Sequence, residues 1–326
     1  MRAMDENLNL PFEKLAEDCN ILDPKNPKEV IDKITALSSE YPNEHLVLIY
    51  NYFFEVSNSY EVLMFLLKKI DKFKDISSRP ILIDSLVMKG KLSQRITDTD
   101  NLTRIRVNIT KALANTKDSQ AVYPLLYCLN SKEENYKVKL SCAEALGKIG
   151  DRYAVLPLMN ILEDETERSV YVKESAVSAL GMIGDEKAVD SLVSILESKK
   201  GFLDKFTFLK ERALEALNKI HFKGDRVFNA LIKSLSDESP QVRINAIEVL
   251  MNSGDERAVD LIKRMMSDSK REVVQNAVTA LYNLLGDNIL NEIISSDKSP
   301  VMAREETIKL QDELRDEEFE EEEDIG

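Results

Sequence analysis

The chain has 326 residues, 43% of them hydrophobic, with 11 Phe, 10 Tyr, no Trp, 10 Gly and 9 Pro, a composition that suits helices packed through Leu, Ile, Val and Ala. Its formal charge is −14, but residues 312–326 carry −9 of it, which leaves −5 on the remaining 311 residues. A body so weakly acidic, and without Trp, excludes phosphate-driven nucleic-acid binding as the expected function. No segment approaches the roughly 18 apolar residues that would span a bilayer, and Met1-Arg-Ala-Met-Asp-Glu-Asn7 has no apolar signal core, so a cytoplasmic protein is expected, starting at Met1 or Met4.

Residues 11–96 read as helices over Phe12–Ile21, Pro27–Ser39, Asn43–Val56, Tyr60–Phe73 and Arg79–Ser93, parted by Pro, Asn, Ser and charged residues. Their aromatics, Tyr50, Phe53 and Phe54 among them, suit a divergent cap that seals the first repeat, with an aromatic-lined binding site as the sharper alternative. The three cysteines, Cys19, Cys128 and Cys142, have no metal or redox spacing and are expected to be small apolar fillers.

From Ile105 onward the chain repeats itself. Val138-Lys-Leu-Ser-Cys-Ala-Glu-Ala-Leu-Gly-Lys-Ile-Gly-Asp151 matches Val172-Lys-Glu-Ser-Ala-Val-Ser-Ala-Leu-Gly-Met-Ile-Gly-Asp185, and weaker copies begin at Ile105, Leu209, Val242 and Val273. Each has Leu eight residues on, at 113, 146, 180, 217, 250 and 281, with intervals of 33, 34, 37, 33 and 31 residues. That period is one helix-turn-helix unit. The first helix puts Val172, Ala176, Ala179, Leu180 and Ile183 on one face; Gly184 suits its left-handed end and Asp185 the cap of the next. Gly150-Asp151, Gly224-Asp225, Gly254-Asp255 and Gly286-Asp287 repeat that turn, while Lys117-Asp118 keeps only the Asp. Gly147 and Gly181 lie inside the helix, where they predict close approach of another backbone. They do not form a phosphate loop, because no strand precedes them. A single hairpin cannot bury both its apolar faces, so neighbours must stack.

The Val-Lys/Arg-x-x-Ala-x-x-Ala-Leu-Gly-x-Ile-Gly-Asp pattern resembles the short HEAT-like repeats first associated with phycobilisome lyases, over about residues 104–311. The resemblance implies an all-α fold, an α-α superhelix of HEAT-like repeats at 101–311; outside that register, residues 1–100 read as a divergent helical cap, and 312–326, whose charges repel and which lack apolar surface, as a disordered acidic tail. It also implies that the first helices line the concave face, and that Arg106, Lys139, Lys173, Lys210 and Arg243 form ladders with turn aspartates of neighbouring units, broken at Val274.

The expected function is a non-catalytic scaffold or adaptor for a protein partner, with no nucleic acid, membrane, metal or cofactor; the alternative is a lyase-like or chaperone subunit acting on a cofactor-bearing protein. Deoxyhypusine hydroxylase resembles this repeat fold and holds di-iron on several His-Glu pairs, whereas the two histidines here, His45 and His221, are followed by Leu46 and Phe222. His221 is expected beside a helix end, meeting terminal carbonyls. By register the candidate partner-binding row on the first helices is Glu144, Lys148, Ser178, Met182, Glu215, Lys219, Glu248, Asn252 and Asn283, flanked by Lys111, Asn115 and Thr279. Residues 198–205 read as an insertion between units, either a contact loop or a loose linkage.

Overall fold

The computed structural model describes residues 10–324 apart from Asp23, Met88, Arg168, residues 199–206, His221 and Lys223, and gives no side-chain surroundings for Lys89, Gly90 or residues 317–324. The insertion loop beyond Ser198, His221 and the two candidate start residues therefore lie outside the described residues. The chain divides into two compact units, residues 1–179 and 180–326. The described secondary structure is helical throughout.

The N-terminal unit opens with α1 (Phe12–Asp18), α2 (Pro27–Glu40), α3 (Asn43–Val56), α4 (Tyr60–Phe73), α5 (Arg79–Val87) and α6 (Lys89–Arg95). It continues through α7 (Thr99–Thr116), α8 (Val122–Asn130), α9 (Tyr136–Ile149) and α10 (Val155–Glu163) into α11 (Val170–Ile183), within which the division falls. Part of the aromatic group is core: Tyr50, Phe53 and Phe54 are fully buried and Tyr50 meets Phe73 at 6.0 Å between ring centroids, while Tyr41, Tyr52, Tyr60, Phe65 and Phe73 are half-buried. Arg95 on α6 donates to the carbonyls of Phe54 (3.1 Å) and Ser57 (2.6 Å), satisfying the end of α3.

The cap contains a repeat that the sequence reading missed. Lys74 ends α4 with φ +52°, and the Ser77 N–H donates to Asp75 (2.7 Å) before α5 begins. The next hairpin does the same, with Lys117 at φ +52° and the Gln120 N–H on Asp118 (2.9 Å). Gly150 (φ +77°) and Asp151, which accepts from the Tyr153 N–H at 2.9 Å, make the turn with the residue best suited to it. Residues 60–87 are thus a repeat in which Ile70 takes the place of the constant Leu and Lys the place of Gly, and α6 is the insertion that follows. Within this unit α7 packs against α4 and α9, and α8 against α5 and α9.

The C-terminal unit holds α12 (Val189–Glu197), α13 (Thr207–Lys219), α14 (Asp225–Ser234), α15 (Pro240–Asn252), α16 (Ala258–Met265), α17 (Arg271–Leu285), α18 (Asp287–Ser295) and α19 (Val301–Asp324). Here α15 lies between α13 and α17, and α19 covers α17 and α18. All six constant leucines are buried, as the register requires. A Cβ on Gly181 would stand 2.7 Å from the Ala216 Cα, which is the close approach expected of an internal helical glycine. Two turns depart from expectation: Gly224 and Gly286 lead straight into α14 and α18, whose first residues are Asp225 and Asp287, so these aspartates open a helix instead of capping a short 3-10 turn.

The acidic segment from Asp312, expected to be disordered, continues α19 to Asp324. Its Glu, Leu and Arg residues favour helix, and extending a packed helix avoids the cost of nucleation. The packed part lies earlier, where Ala303, Glu306 and Thr307 are buried and Arg271 binds Glu305 and Glu306 at 2.6 Å each.

Candidate functional site

The basic residue that follows the first apolar position of each repeat is structural, and its partner is not the one expected. Arg106 binds Glu134 through Nη1–Oε1 (2.5 Å) and Nη2–Oε2 (2.7 Å), Lys139 binds Glu167 (2.6 Å), Lys210 binds Asp237 (2.9 Å), and Arg243 binds Asp268 through two bonds of 2.8 Å. These acids stand in the loops between repeats, not at the turns within them. At the turns Asp118, Asp151, Asp185 and Asp255 each accept the N–H two residues on; Asp118 also meets Arg79, and Asp225 meets Arg257. The basic positions also take carbonyls at or just past helix ends: Arg106 that of Leu86 (2.8 Å), Lys173 those of Leu162 (3.0 Å) and Asp164 (2.8 Å), Arg243 that of Asp237 (2.8 Å). Burial pushes the Lys173 ammonium below the usual lysine range, against the pull of Asp164 and Glu167. Val274, at the expected break, is buried and apolar.

The candidate row falls in both units. In the N-terminal unit Glu144 and Ser178 are half-buried and Lys148 is exposed; Glu144 and Lys111 line a 440 Å³ groove between α7 and α9 together with Arg104, Asn108 and Lys137. Asn115 is drawn away, donating to Asp71 at 2.6 Å. In the C-terminal unit Met182, Lys219, Glu248, Asn252 and Asn283 are exposed, with Glu215 and Thr279 half-buried. A polar chain runs across two helices there. Asn218 donates to Glu248 (3.1 Å) and Asn252 donates to Asn218 (2.9 Å), while Arg212 holds Glu215 (2.7 Å) and Asn283 donates to the Met251 sulfur (3.7 Å). Asn218 was not among the sequence candidates, since it lies one position short of the Lys219 column.

Sequence reasoning also missed the second helices of the N-terminal unit. Tyr123 and Tyr127 on α8 and Tyr153 before α10 are 69%, 63% and 73% exposed, with Leu156 beside them. In register, Tyr123 and Tyr127 correspond to Asp190 and Ser194 of α12, and that alignment was the signal available. In the C-terminal unit those positions serve an ion cluster, where Arg226 binds Asp190 (2.7 Å), Ser194 (3.3 Å) and Glu197 (3.2 Å).

Among the described residues no group of three or more His, Cys, Asp or Glu side chains converges as metal ligands, and no helix is long and apolar enough to cross a membrane. Burial pushes the Cys142 thiol well up, with neighbouring Cys128 adding to it, and burial raises the Cys19 thiol too. All three cysteines are buried and outside any disulfide, as fillers would be.

Comparison with known proteins bears on the fold. Among solved structures, Kap121p aligns over 94% of this chain and 38% of its own, at 12% identity and TM-score 0.53. Kap95p, in a structure where its binding induces the switch loops of RanGDP to adopt the GTP-bound conformation, aligns over 92% and 46%, at 14% and 0.54. The complex of CpcE and CpcF of phycocyanin lyase from Nostoc sp. PCC7120 aligns over 72% and 94%, at 20% and 0.43. Identities this low speak for fold alone, and this chain spans less than half of each Kap protein. Comparison with curated proteins gives no match. The family described as HEAT repeats matches residues 90–170, 131–207 and 204–283, well over half of the chain. By that match, and by the capped hairpins stacked within each unit, the chain belongs to the HEAT-repeat family.

Proposed function

We propose that this chain is a non-catalytic scaffold that holds a protein partner along its first helices. The observation that carries the reading is the exposed chain Glu248–Asn218–Asn252, in which hydrogen bonds between α13 and α15 hold side chains in place with donors and acceptors to spare. A surface ordered before binding loses less entropy on association. Its mixture of carboxylate, amide and lysine, continued by Lys219 and Asn283, favours selection by charge pattern over raw affinity. Kap95p, whose fold this chain resembles, binds RanGDP, and this is consistent with the same use here.

The finer resemblance to phycobilisome-lyase repeats rests on Ala-Leu-Gly-x-Ile-Gly-Asp at 145–151 and 179–185. It favours a second reading, a lyase-like or chaperone subunit acting on a cofactor-bearing protein, which a coloured client in pull-downs would distinguish. The test of the first reading isolates the native partner and measures its affinity for Glu144→Lys, Glu215→Lys and Glu248→Lys combined. Binding should weaken about tenfold with a nearly unchanged unfolding midpoint, because charges that solvent reaches, the Arg212–Glu215 pair included, add little stability. Glu186→Lys, in the turn before α12, with Asp260→Lys on α16 is the control; Asp190 is unsuitable because Arg226 holds it. Loss of binding in the control but not in the triple variant would overturn the assignment.

A further inference from the structure

The second helices of the two units face solvent with different chemistry at the same repeat positions. In the C-terminal unit many outward side chains are charged and bind one another, Arg226 with Asp190 and Glu197, and Lys263 with Glu292 at 3.3 Å, although Ile232 on α14 is exposed as well. Such a face is satisfied without a partner. In the N-terminal unit the same positions carry Tyr123, Tyr127 and Leu156, and the Tyr123 ring lies 6.3 Å from that of Tyr153. Between α5 and α8 this face opens into a groove of 960 Å³, floored by Ile83, Val87 and Leu126 and walled by Tyr123 and Tyr127 on one side and Asp84 on the other. Exposed tyrosines clustered at a groove are a recurring feature of protein-binding surfaces, since each ring offers a large contact area at small entropic cost.

The charge of the groove selects its occupant. None of the described residues that line it is cationic, and exposed Asp84 has no cationic partner among the described residues. Two aromatic faces and one carboxylate make a receptor for a guanidinium, which stacks on a ring while it pairs with the carboxylate. The volume lies at the upper end of the roughly 300–1,000 Å³ found for small-molecule pockets, but the groove is open along its length and so suits a segment of chain.

We propose that the groove between α5 and α8 binds an arginine-bearing peptide segment of a protein partner, with the arginine stacked on Tyr123 or Tyr127 and paired with Asp84. This rests on the reading of the chain as a protein-binding scaffold and adds a second surface, on the opposite helices, with a defined ligand chemistry.

The test screens the full chain against a display library of random short peptides and measures affinities of selected peptides by fluorescence anisotropy. Wild type should enrich arginine. Tyr123→Ala with Tyr127→Ala should weaken selected peptides about tenfold or more, Asp84→Lys should abolish the arginine preference, and Tyr123→Phe with Tyr127→Phe should retain it, because the ring faces remain. All these side chains are open to solvent, and circular dichroism should report unchanged helicity. Selection of acidic or purely apolar peptides would overturn the proposal. So would self-association of wild type that the double alanine variant removes, for then a second copy fills the groove. The two readings fail separately. If groove variants leave peptides and native partner bound as before while the first-helix reversals weaken the partner, the groove proposal alone fails. If neither set of variants affects any bound protein, the scaffold reading fails with it.

Discussion

Arg106 and Glu134 form a two-pronged ion pair whose side chains are only 5% and 2% exposed, joining α7 to the loop between α8 and α9. With its acid so close, the Arg106 guanidinium stays charged although burial opposes it. Glu134→Ala leaves that charge buried with the Leu86 carbonyl, and should cost about 3–5 kcal/mol in urea unfolding. Replacing both partners, Arg106→Met with Glu134→Leu, should recover most of the loss. A single-variant cost below about 1 kcal/mol would mean that solvent reaches the pair.

Leu180→Ala removes a fully buried side chain at the repeat's constant position and should destabilise by about 2–5 kcal/mol. Its neighbour sets a sharper test of sign. In an open helix Gly181→Ala would add about 1 kcal/mol of stability. Here the new Cβ would stand 2.7 Å from the Ala216 Cα and 2.8 Å from its Cβ, so overpacking of about 1–3 kcal/mol should outweigh the gain. A raised denaturation midpoint would show that α11 and α13 can move apart freely.

The ladder carboxylates give acid sensitivity. Burial alone would raise the Asp268 carboxyl, but the Arg243 hydrogen bonds and the Lys270 N–H hold it below its ordinary range. Asp118 is likewise held down, against burial, by the Gln120 N–H and Arg79. A carboxyl whose folded pKa is depressed adds stability that is complete above its unfolded value, about 3.9, and is lost as pH falls through the folded value. Asp268→Asn should therefore lower stability at neutral pH and flatten its fall below about pH 4. Denaturant midpoints compared across that range would show the opposite, an unchanged acid limb, if Asp268 were not paired in solution.

Removing residues 312–326 should shift thermal unfolding by less than about 2 °C, under roughly 1 kcal/mol. The pairs this truncation breaks, Lys309–Glu313 and Arg315–Asp312 at 3.6 Å, are local and exposed. The contacts that hold α19 to α17, through Arg271, lie upstream of the cut. A drop of several degrees would place the acidic turns against the body.

Much of the fold was legible in the residues themselves. The spacing of Leu113, Leu146, Leu180, Leu217, Leu250 and Leu281 determined the repeat and its buried face, because a 3.6-residue helical period leaves one side for the core. Gly150-Asp151 and Gly184-Asp185 marked the turns, since a left-handed residue and a capping carboxylate are local requirements. Where Lys74 took the glycine's place, the same turn formed because the surrounding hairpin held it, and the local signal vanished.

Pairing was decided only by the tertiary structure. Arg106 could have met any of several acids by sequence, and its choice of Glu134 depends on where the inter-repeat loop brings that carboxylate. The same holds for surfaces. Tyr123 and Asp190 occupy equivalent positions, but only the placement of Arg226 beside Asp190, and of Asp84 across a groove from Tyr127, separates a self-satisfied face from an open one. Helical period is a property of consecutive residues; which charge or ring lies opposite another depends on how neighbouring helices pack.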